Sequence, residues 1–454
     1  METFDLVVIG GGPAGYVASG RAGAAGLKTA LIEKNALGGV CLNEGCIPSK
    51  AFLNSAKILG YAKHGEEYGV FVETAGIDHN RVRERKNRVV KALVAGVVAG
   101  LKRNKVAIFR AEGKIVGKSG GVFAIQAGGD AIAAKKILLA CGSAAITPPI
   151  PGVREAMSSG VAITNKEIFD LEDVPRDLVI IGGGVIGLEM ASYFNAAGSN
   201  VTIVEILSKI AGPTEGEISD ILLKNLKKDG IEFRLNSRVV SIDNEGVTFE
   251  ENSVLQHASA DKILLSVGRR ANVDGLGLES IGVCVERSAV VTDENMRTNV
   301  SGVYAAGDIN GKSMLAHTAS REGEVAVNHM LGKKDRMRYG AIPSVIYTNP
   351  EAAGVGETEE TAREKGLDVR SVSVPMRFSG RYVAEAEKGD GICKIVIDRK
   401  FDRLMGVHMI GGSASEIIYG AAMMIEMEMK TDDIKEIVFP HPSACEVIRE
   451  GLFL

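Results

Sequence analysis

One pattern occurs twice in this chain and constrains its fold more than any other feature. A short apolar run, Asp5 to Ile9, ends in Gly10-x-Gly12-x-x-Gly15, continues as a helical stretch from Gly15 towards Gly26, and returns as a second run from Thr29 to Glu33. The order restarts at Leu178 to Ile181, with Gly182-x-Gly184-x-x-Gly187, a helical stretch from Leu188 to Ala197 and a strand from Asn200 to Glu205. Each is a βαβ opening. Glycines at this spacing let the backbone turn tightly and approach a pyrophosphate, which then rests on a helix N-terminus. The acid closing the second strand accepts from ribose hydroxyls. A glycine triplet alone is a weak signal; with strand, helix and distant acid in place, each copy reads as a dinucleotide site. The bland alternatives are a tight turn without ligand for the first copy and a disused duplication for the second. Glu205 is followed by Ile206, Leu207, Ser208 and Lys209, with no Arg. A 2′-phosphate would meet a carboxylate there, so the second site favours NAD over NADP.

At 454 residues the chain is too long for one hydrophobic core, and several domains are expected. The net charge of -4, without a long basic run, gives no reason to expect nucleic acid or an anionic membrane as partner. The start, METFDLVVIGGGPAG, enters a strand at once and lacks a secretory pattern. No apolar run approaches the length of a membrane span. Six Cys do not make a secreted disulfide framework, and in a reducing compartment a close Cys pair is more often catalytic. The expected location is cytoplasmic.

Residues 51 to 108 read as mostly helical, and 105 to 140 as short strands with Gly-rich turns. From about Ile342 the pattern changes to strands such as GICKIVID and LMGVHMIGG, then helices over 413–428 and 431–438. The expected fold class is α/β, with two Rossmann-like dinucleotide-binding domains and a C-terminal α+β domain.

Three further segments carry chemistry. In GGVCLNEGCIPSK, Cys41 and Cys46 are five residues apart. Five residues of regular helix rise about 7.5 Å, whereas a disulfide needs Cα atoms within about 4.4–6.8 Å. A bridge therefore requires an irregular turn, for which Gly45 and Pro48 are suited; a structural disulfide or two free thiols are the bland readings. In FPHPSACE, Glu446 can orient His441 for proton exchange, which thiol–disulfide exchange requires because the thiolate is the nucleophile. Alone, a His near a Glu is more often a surface or capping arrangement. In TNVSGVYAAGDING, Val303 to Ala306 reads as a buried strand and Asp308 can bond a polyol chain. A helix starting near Met314 would aim its N-terminal dipole at the preceding loop. Cys141, Cys284, Cys393 and Cys445 show no metal-ligand spacing, and no metal site is expected.

Together, in this order, these motifs resemble the flavoprotein pyridine nucleotide-disulfide oxidoreductases, and most of all the branch that oxidises dihydrolipoyl groups. The resemblance runs from about residue 4 to about 451; GGVCLNEGCIPSK is its most specific part. It implies FAD at Gly10, Gly12 and Gly15 and NAD at Gly182, Gly184 and Gly187. It implies a Cys41–Cys46 disulfide, with Cys41 exchanging with substrate and Cys46 facing the flavin. Lys50 matches the lysine near the flavin, and Glu189 its partner beside the nicotinamide. Glu33, Gly113, Ser143, Asp308 and Ala316 match FAD contacts; Glu205, Val239 and Gly268 match NAD contacts. His441 and Glu446 match an acid–base pair donated across a homodimer interface, so one subunit alone would hold no complete site. The implied domains are 1–145 (first FAD-binding part), 146–270 (NAD-binding), 271–340 (remaining FAD-binding, central part) and 341–454 (dimerisation).

The chain departs from the family pattern at Val40, at Cys141, and at Phe439, where an upstream His is usual; it also stops soon after Glu446. These departures touch the substrate more than the core chemistry. The expected reaction is oxidation of a lipoyl-bearing protein of a 2-oxoacid dehydrogenase or glycine cleavage complex, with reduction of NAD⁺. The alternatives are a glutathione-type reductase, against which Glu205 argues, and a mercuric reductase, which would want a C-terminal Cys pair. A purely structural role in a multienzyme complex leaves the Cys pair, His441 and both Gly motifs without purpose.

Overall fold

The computed structural model describes residues 1–454. The chain divides into two compact units, one formed by residues 1–51, 81–146 and 268–338, the other by 52–80, 147–267 and 339–454.

The first unit is built on a seven-stranded sheet. Its centre is β1 (Glu2–Ile9), parallel to β2 (Thr29–Ile32) on one side and to the strand Asp130–Leu139 on the other. Val303–Ala305 extends the parallel part, and Gly113–Ser119 and Val122–Ala127 add an antiparallel ribbon. Leu6, Val7 and Val8 are all buried, as expected for a parallel strand covered on both faces. The α1 helix (Pro13–Ala24) links β1 to β2 and packs on the helix Ala316–Met330.

The second unit repeats the scheme in a five-stranded parallel sheet, in the order Glu232–Arg234, Asn200–Val204, Asp177–Ile181, Lys262–Leu265 and Ala162–Ile163. The same unit holds a five-stranded antiparallel sheet of residues 344–411, whose core is closed by the helix Ala414–Glu426. No helix is long and apolar enough to cross a membrane.

One sequence expectation holds and one changes. Residues 51–108 are mostly helical: α3 (Cys46–Lys63), which follows α2 (Gly39–Glu44), and α4 (His79–Arg103) cover most of them, with a connection that holds a short 3-10 turn, Gly65–Tyr68. That connection contains Gly65, Gly69 and Gly76 and lacks a helical apolar period; Gly69 takes φ +75, which ends the turn. The helix expected over 431–438 stops at Lys435, ahead of Pro440, which disfavours helical backbone at the residue preceding it.

Within the second unit, the buried Lys394 ammonium donates to Glu215 (2.8 Å) and Glu217 (2.7 Å) and pairs with Glu359 at 2.8 Å. Burial alone would lower the lysine pKa, but the three carboxylates outweigh it and raise the pKa. Glu215 is only 2% exposed, so it depends on this cation. Lys394→Met is expected to cost about 3–5 kcal/mol, because it leaves a buried carboxylate unpaired. Denaturant unfolding measures this, and a loss below about 1 kcal/mol would show that the cluster behaves like a surface pair.

Candidate active site: a thiol pair between two nucleotide turns in sequence

The Cys segment takes the irregular turn that its spacing required. Cys41 lies in α2 and Cys46 is the first residue of α3; Gly45 breaks the two helices apart at φ -152, ψ -111. The Asn43 amide donates to the carbonyls of Leu37 (3.1 Å) and Gly39 (2.8 Å), tying the loop to itself. Both cysteines are free and partly buried in this structure. Their side chains share a hydrogen bond. That bond, with burial and the charge of Cys46, pushes the Cys41 thiol far up, against the opposing pull of Lys50. The two sulfurs therefore titrate as a coupled pair rather than as two independent thiols.

The two glycine turns are superposable in their chemistry. Gly10 has φ +107 and Gly182 φ +106; a Cβ on either would fall 2.2 Å from the Ala140 carbonyl oxygen or 2.4 Å from that of Ser266. A Cβ on Gly15 or Gly187 would meet the carbonyl oxygen of Gly10 or Gly182 at 1.8 and 2.3 Å. Both helices that follow start without a side-chain cap and without an acid in the first turn. Their first amides are thus presented to an anion. Glu33 accepts from Gly11 N (2.6 Å) and Asn35 N (2.7 Å), and Glu205 from Gly183 N (2.6 Å) and Leu207 N (2.8 Å). Each carboxylate oxygen retains a lone pair for a hydroxyl. The turns and acids fit a dinucleotide in both places.

Other expected residues fall around these turns. In the first unit, Ser143 donates to Asp308 at 2.5 Å, and Gly113 packs on Ile9 and Ile32, where a Cβ would come within 3.0 Å. Ala316 is the first residue of its helix, which has no side-chain cap. Gly268 (φ +114) accepts from Ile146 N and lies at the border of this unit rather than among the second-unit strands. In the second unit, Glu189 is buried and accepts from Tyr347 N at 3.1 Å, and Val239 sits at a bulge in the strand Ser237–Ile242. His441 Nδ1 lies 2.8 Å from Glu446 Oε1, and Glu446 Oε2 accepts from Ser443 N. The Ser443 amide, then His441, holds the Glu446 carboxyl below its usual range. The imidazole is 77% exposed in the single chain.

Two residues escaped the sequence reading. Glu322, fully buried, accepts from Gly307 N (2.6 Å) and Asn310 Nδ2 (2.9 Å), and so sets the loop that carries Asp308. A signal existed: Glu322 falls between Ala319 and Val325 on the apolar stripe of its helix. The other is Arg269, which bonds Ser143. Of the remaining thiols, burial pushes Cys141 and Cys393 up to about 12; Cys393 is a core thiol, whereas Cys141 is only partly buried.

Residues 4–323 match the pyridine nucleotide-disulphide oxidoreductase family, and residues 342–451 match its dimerisation domain. A dihydrolipoyl dehydrogenase of Chlamydia muridarum is 38% identical over 100% of this chain and 97% of its own length. One from Bacillus subtilis is 36% identical over 99% and 97%. Among solved structures, the HOCl-induced flavoprotein disulfide reductase RclA of Escherichia coli is similar with TM-score 0.86 and 26% identity, covering 99% of both chains. LpdA of Mycobacterium tuberculosis shares the fold, with TM-score 0.89 at 24% identity, over 100% of this chain and 99% of its own. With both of its parts matched and full-length relatives above 30% identity, the chain belongs to the pyridine nucleotide-disulphide oxidoreductases.

Proposed function

We propose that this oxidoreductase oxidises protein-bound dihydrolipoyl groups and reduces NAD⁺ to NADH, working as a homodimer on the lipoyl-bearing protein of a 2-oxoacid dehydrogenase or glycine cleavage complex. FAD and NAD are its cofactors, assigned to the first and second glycine turns. The observation that carries the reading is the hydrogen-bonded Cys41–Cys46 pair beside Lys50, immediately after the first turn. When bound, the flavin supplies the two-electron acceptor that joins thiol chemistry to the nicotinamide.

The chain's residues carry out the exchange. The partner subunit's His441, oriented by Glu446, takes a proton from one substrate thiol. The resulting thiolate attacks Cys41 Sγ in the oxidised pair; the Cys41–Cys46 bond breaks and Cys46 leaves as thiolate. The second substrate thiol then displaces Cys41 from the mixed disulfide and passes its proton to it. The products are a lipoyl disulfide, Cys46 as thiolate, Cys41 as thiol and a protonated His441.

The reading is tested with a dihydrolipoylated carrier domain and the FAD-loaded protein. One NADH per dihydrolipoyl group is expected, and no NADH would refute it. Sharing of the site between subunits is tested by reassociating Cys46→Ser and His441→Gln subunits. Random pairing returns about a quarter of wild-type turnover if each site draws on both chains; no recovery would mean that each site uses the His441 of its own chain. Glu205→Gln is expected to raise the KM for NAD⁺ about tenfold with little change in kcat, because a charged hydrogen-bond acceptor is lost from binding. An unchanged KM would remove Glu205 from the nucleotide site.

A further inference from the structure

The helix Gly216–Lys228 follows the nucleotide-type strands of the second unit, yet the C-terminal part of that unit fastens it at both ends. At its start, Lys394 on the strand Ile392–Asp398 donates to Glu215 and Glu217. The Glu359 amide also donates to Glu215 at 3.1 Å, and the Ser373 hydroxyl to Glu217 at 2.7 Å. Near its other end, Lys224 (2.8 Å) and Asn225 (3.0 Å) donate to Asp390. Lys224 is 72% exposed, whereas Lys394 and Glu215 are 6% and 2% exposed. The buried pair is therefore the fastening that salt screens least.

The fastened end of this helix also carries the loop that backs the second glycine turn. Residues 206–215 lead from Glu205 to Glu215. Within them, Ala211 N donates to Gly183 O at 2.8 Å. Ile210 is fully buried and lies 3.4 Å from where a Cβ on Gly183 would stand. Ser219, in the helix, ties this loop to Glu215: its amide donates to Glu215 O at 2.9 Å and its hydroxyl to Ile210 O at 2.9 Å. Thr214 closes the loop on itself, donating to Ala211 O (2.9 Å) and accepting from Lys209 Nζ (3.1 Å). Hydrogen bonds thus connect Lys394 to Gly183 by way of Glu215, Ser219 and the Ile210–Ala211 backbone, and Gly183 N in turn donates to Glu205.

We propose that Lys394 is a positioning residue for the nicotinamide nucleotide: by holding Glu215, it fixes the 206–215 loop against Gly183 and keeps the second glycine turn in its binding geometry. It rests on the assignment of NAD to that turn. A turn held in place before the ligand arrives spends none of the binding energy on its own ordering. The C-terminal part of the chain then does more than join subunits, since one of its buried cations shapes the nucleotide site.

The test is calorimetric binding of ADP-ribose, which carries the pyrophosphate and both riboses, to the FAD-loaded protein. Lys394→Met is expected to raise its Kd about tenfold, because part of the binding energy then goes into ordering the turn. Lys394→Arg keeps a cation with several donors and stays within about twofold of wild type. Glu215→Gln combined with Lys394→Met removes the buried carboxylate together with its cation, so no unpaired charge is left inside. This double variant is expected to unfold near the wild-type midpoint and still to bind ADP-ribose about tenfold more weakly. The KM for dihydrolipoamide at saturating NAD⁺ stays unchanged in all three. A merely structural role would move only the unfolding midpoint of Lys394→Met. A wild-type Kd in the double variant, or Arg no better than Met, overturns the proposal, and so does an equal rise in the KM for dihydrolipoamide. Failure of the functional reading is seen separately, as a wild-type protein that binds ADP-ribose but does not oxidise dihydrolipoamide.

Discussion

Replacing Cys46 with serine is expected to reduce NADH formation from dihydrolipoamide by at least about 10³-fold, since the disulfide electrophile can no longer form. The change is one atom at the first residue of α3, in a side chain that Ser can replace without a clash. Stability is expected to stay within about 0.5 kcal/mol of wild type, the range of substitutions that disturb no packing. The measurement is steady-state NADH production, with thermal unfolding as control. If Cys46→Ser kept more than a tenth of the turnover, the thiol pair would not be the route of the electrons. A protein that only organised a complex would lose nothing.

The second large effect is expected at His441. His441→Gln removes the proton acceptor while keeping a polar side chain near Glu446, and should lower kcat/KM for dihydrolipoamide about 10²–10⁴-fold, the usual range for a general base. Reduction of an artificial electron acceptor by NADH needs no proton transfer from a substrate thiol and should be nearly unchanged. Equal loss in both assays would point to misfolding rather than proton transfer. The Glu446 partner is robust towards acid. Its native carboxyl is held low by the Ser443 amide and His441, so its contribution is complete above the unfolded carboxylate range and disappears only as pH falls through the lowered native value. The orientation of His441 by an ionised Glu446 therefore outlasts that of an ordinary carboxylate as the solution is acidified.

The parts of the fold that could be read from the sequence are those in which the backbone itself dictates the residue. Gly10, Gly15, Gly182 and Gly187 have no room for a Cβ, so the demand of the turn is written directly in the chain. The Cys41–Cys46 spacing carried the need for an irregular turn, and Gly45 supplies it. What stayed hidden depends on contacts between distant segments. Ser143 meets Asp308 from 165 residues away and Arg269 from 126, and no local pattern encodes either meeting. The bonds that Glu33 and Glu205 accept from the Gly11 and Gly183 amides are likewise not apparent in the sequence, where each acid faces a ribose; in the structure each also clamps its own glycine loop.

The most direct measurement of the central claim is a paired assay of the FAD-loaded protein, with dihydrolipoamide and NAD⁺ in one arm and glutathione disulfide and NADPH in the other. Glu205 at the second turn and the Cys41–Cys46 pair after the first predict turnover in the dihydrolipoamide arm and essentially none in the other. Turnover confined to glutathione disulfide and NADPH would contradict both the substrate and the nucleotide assignment.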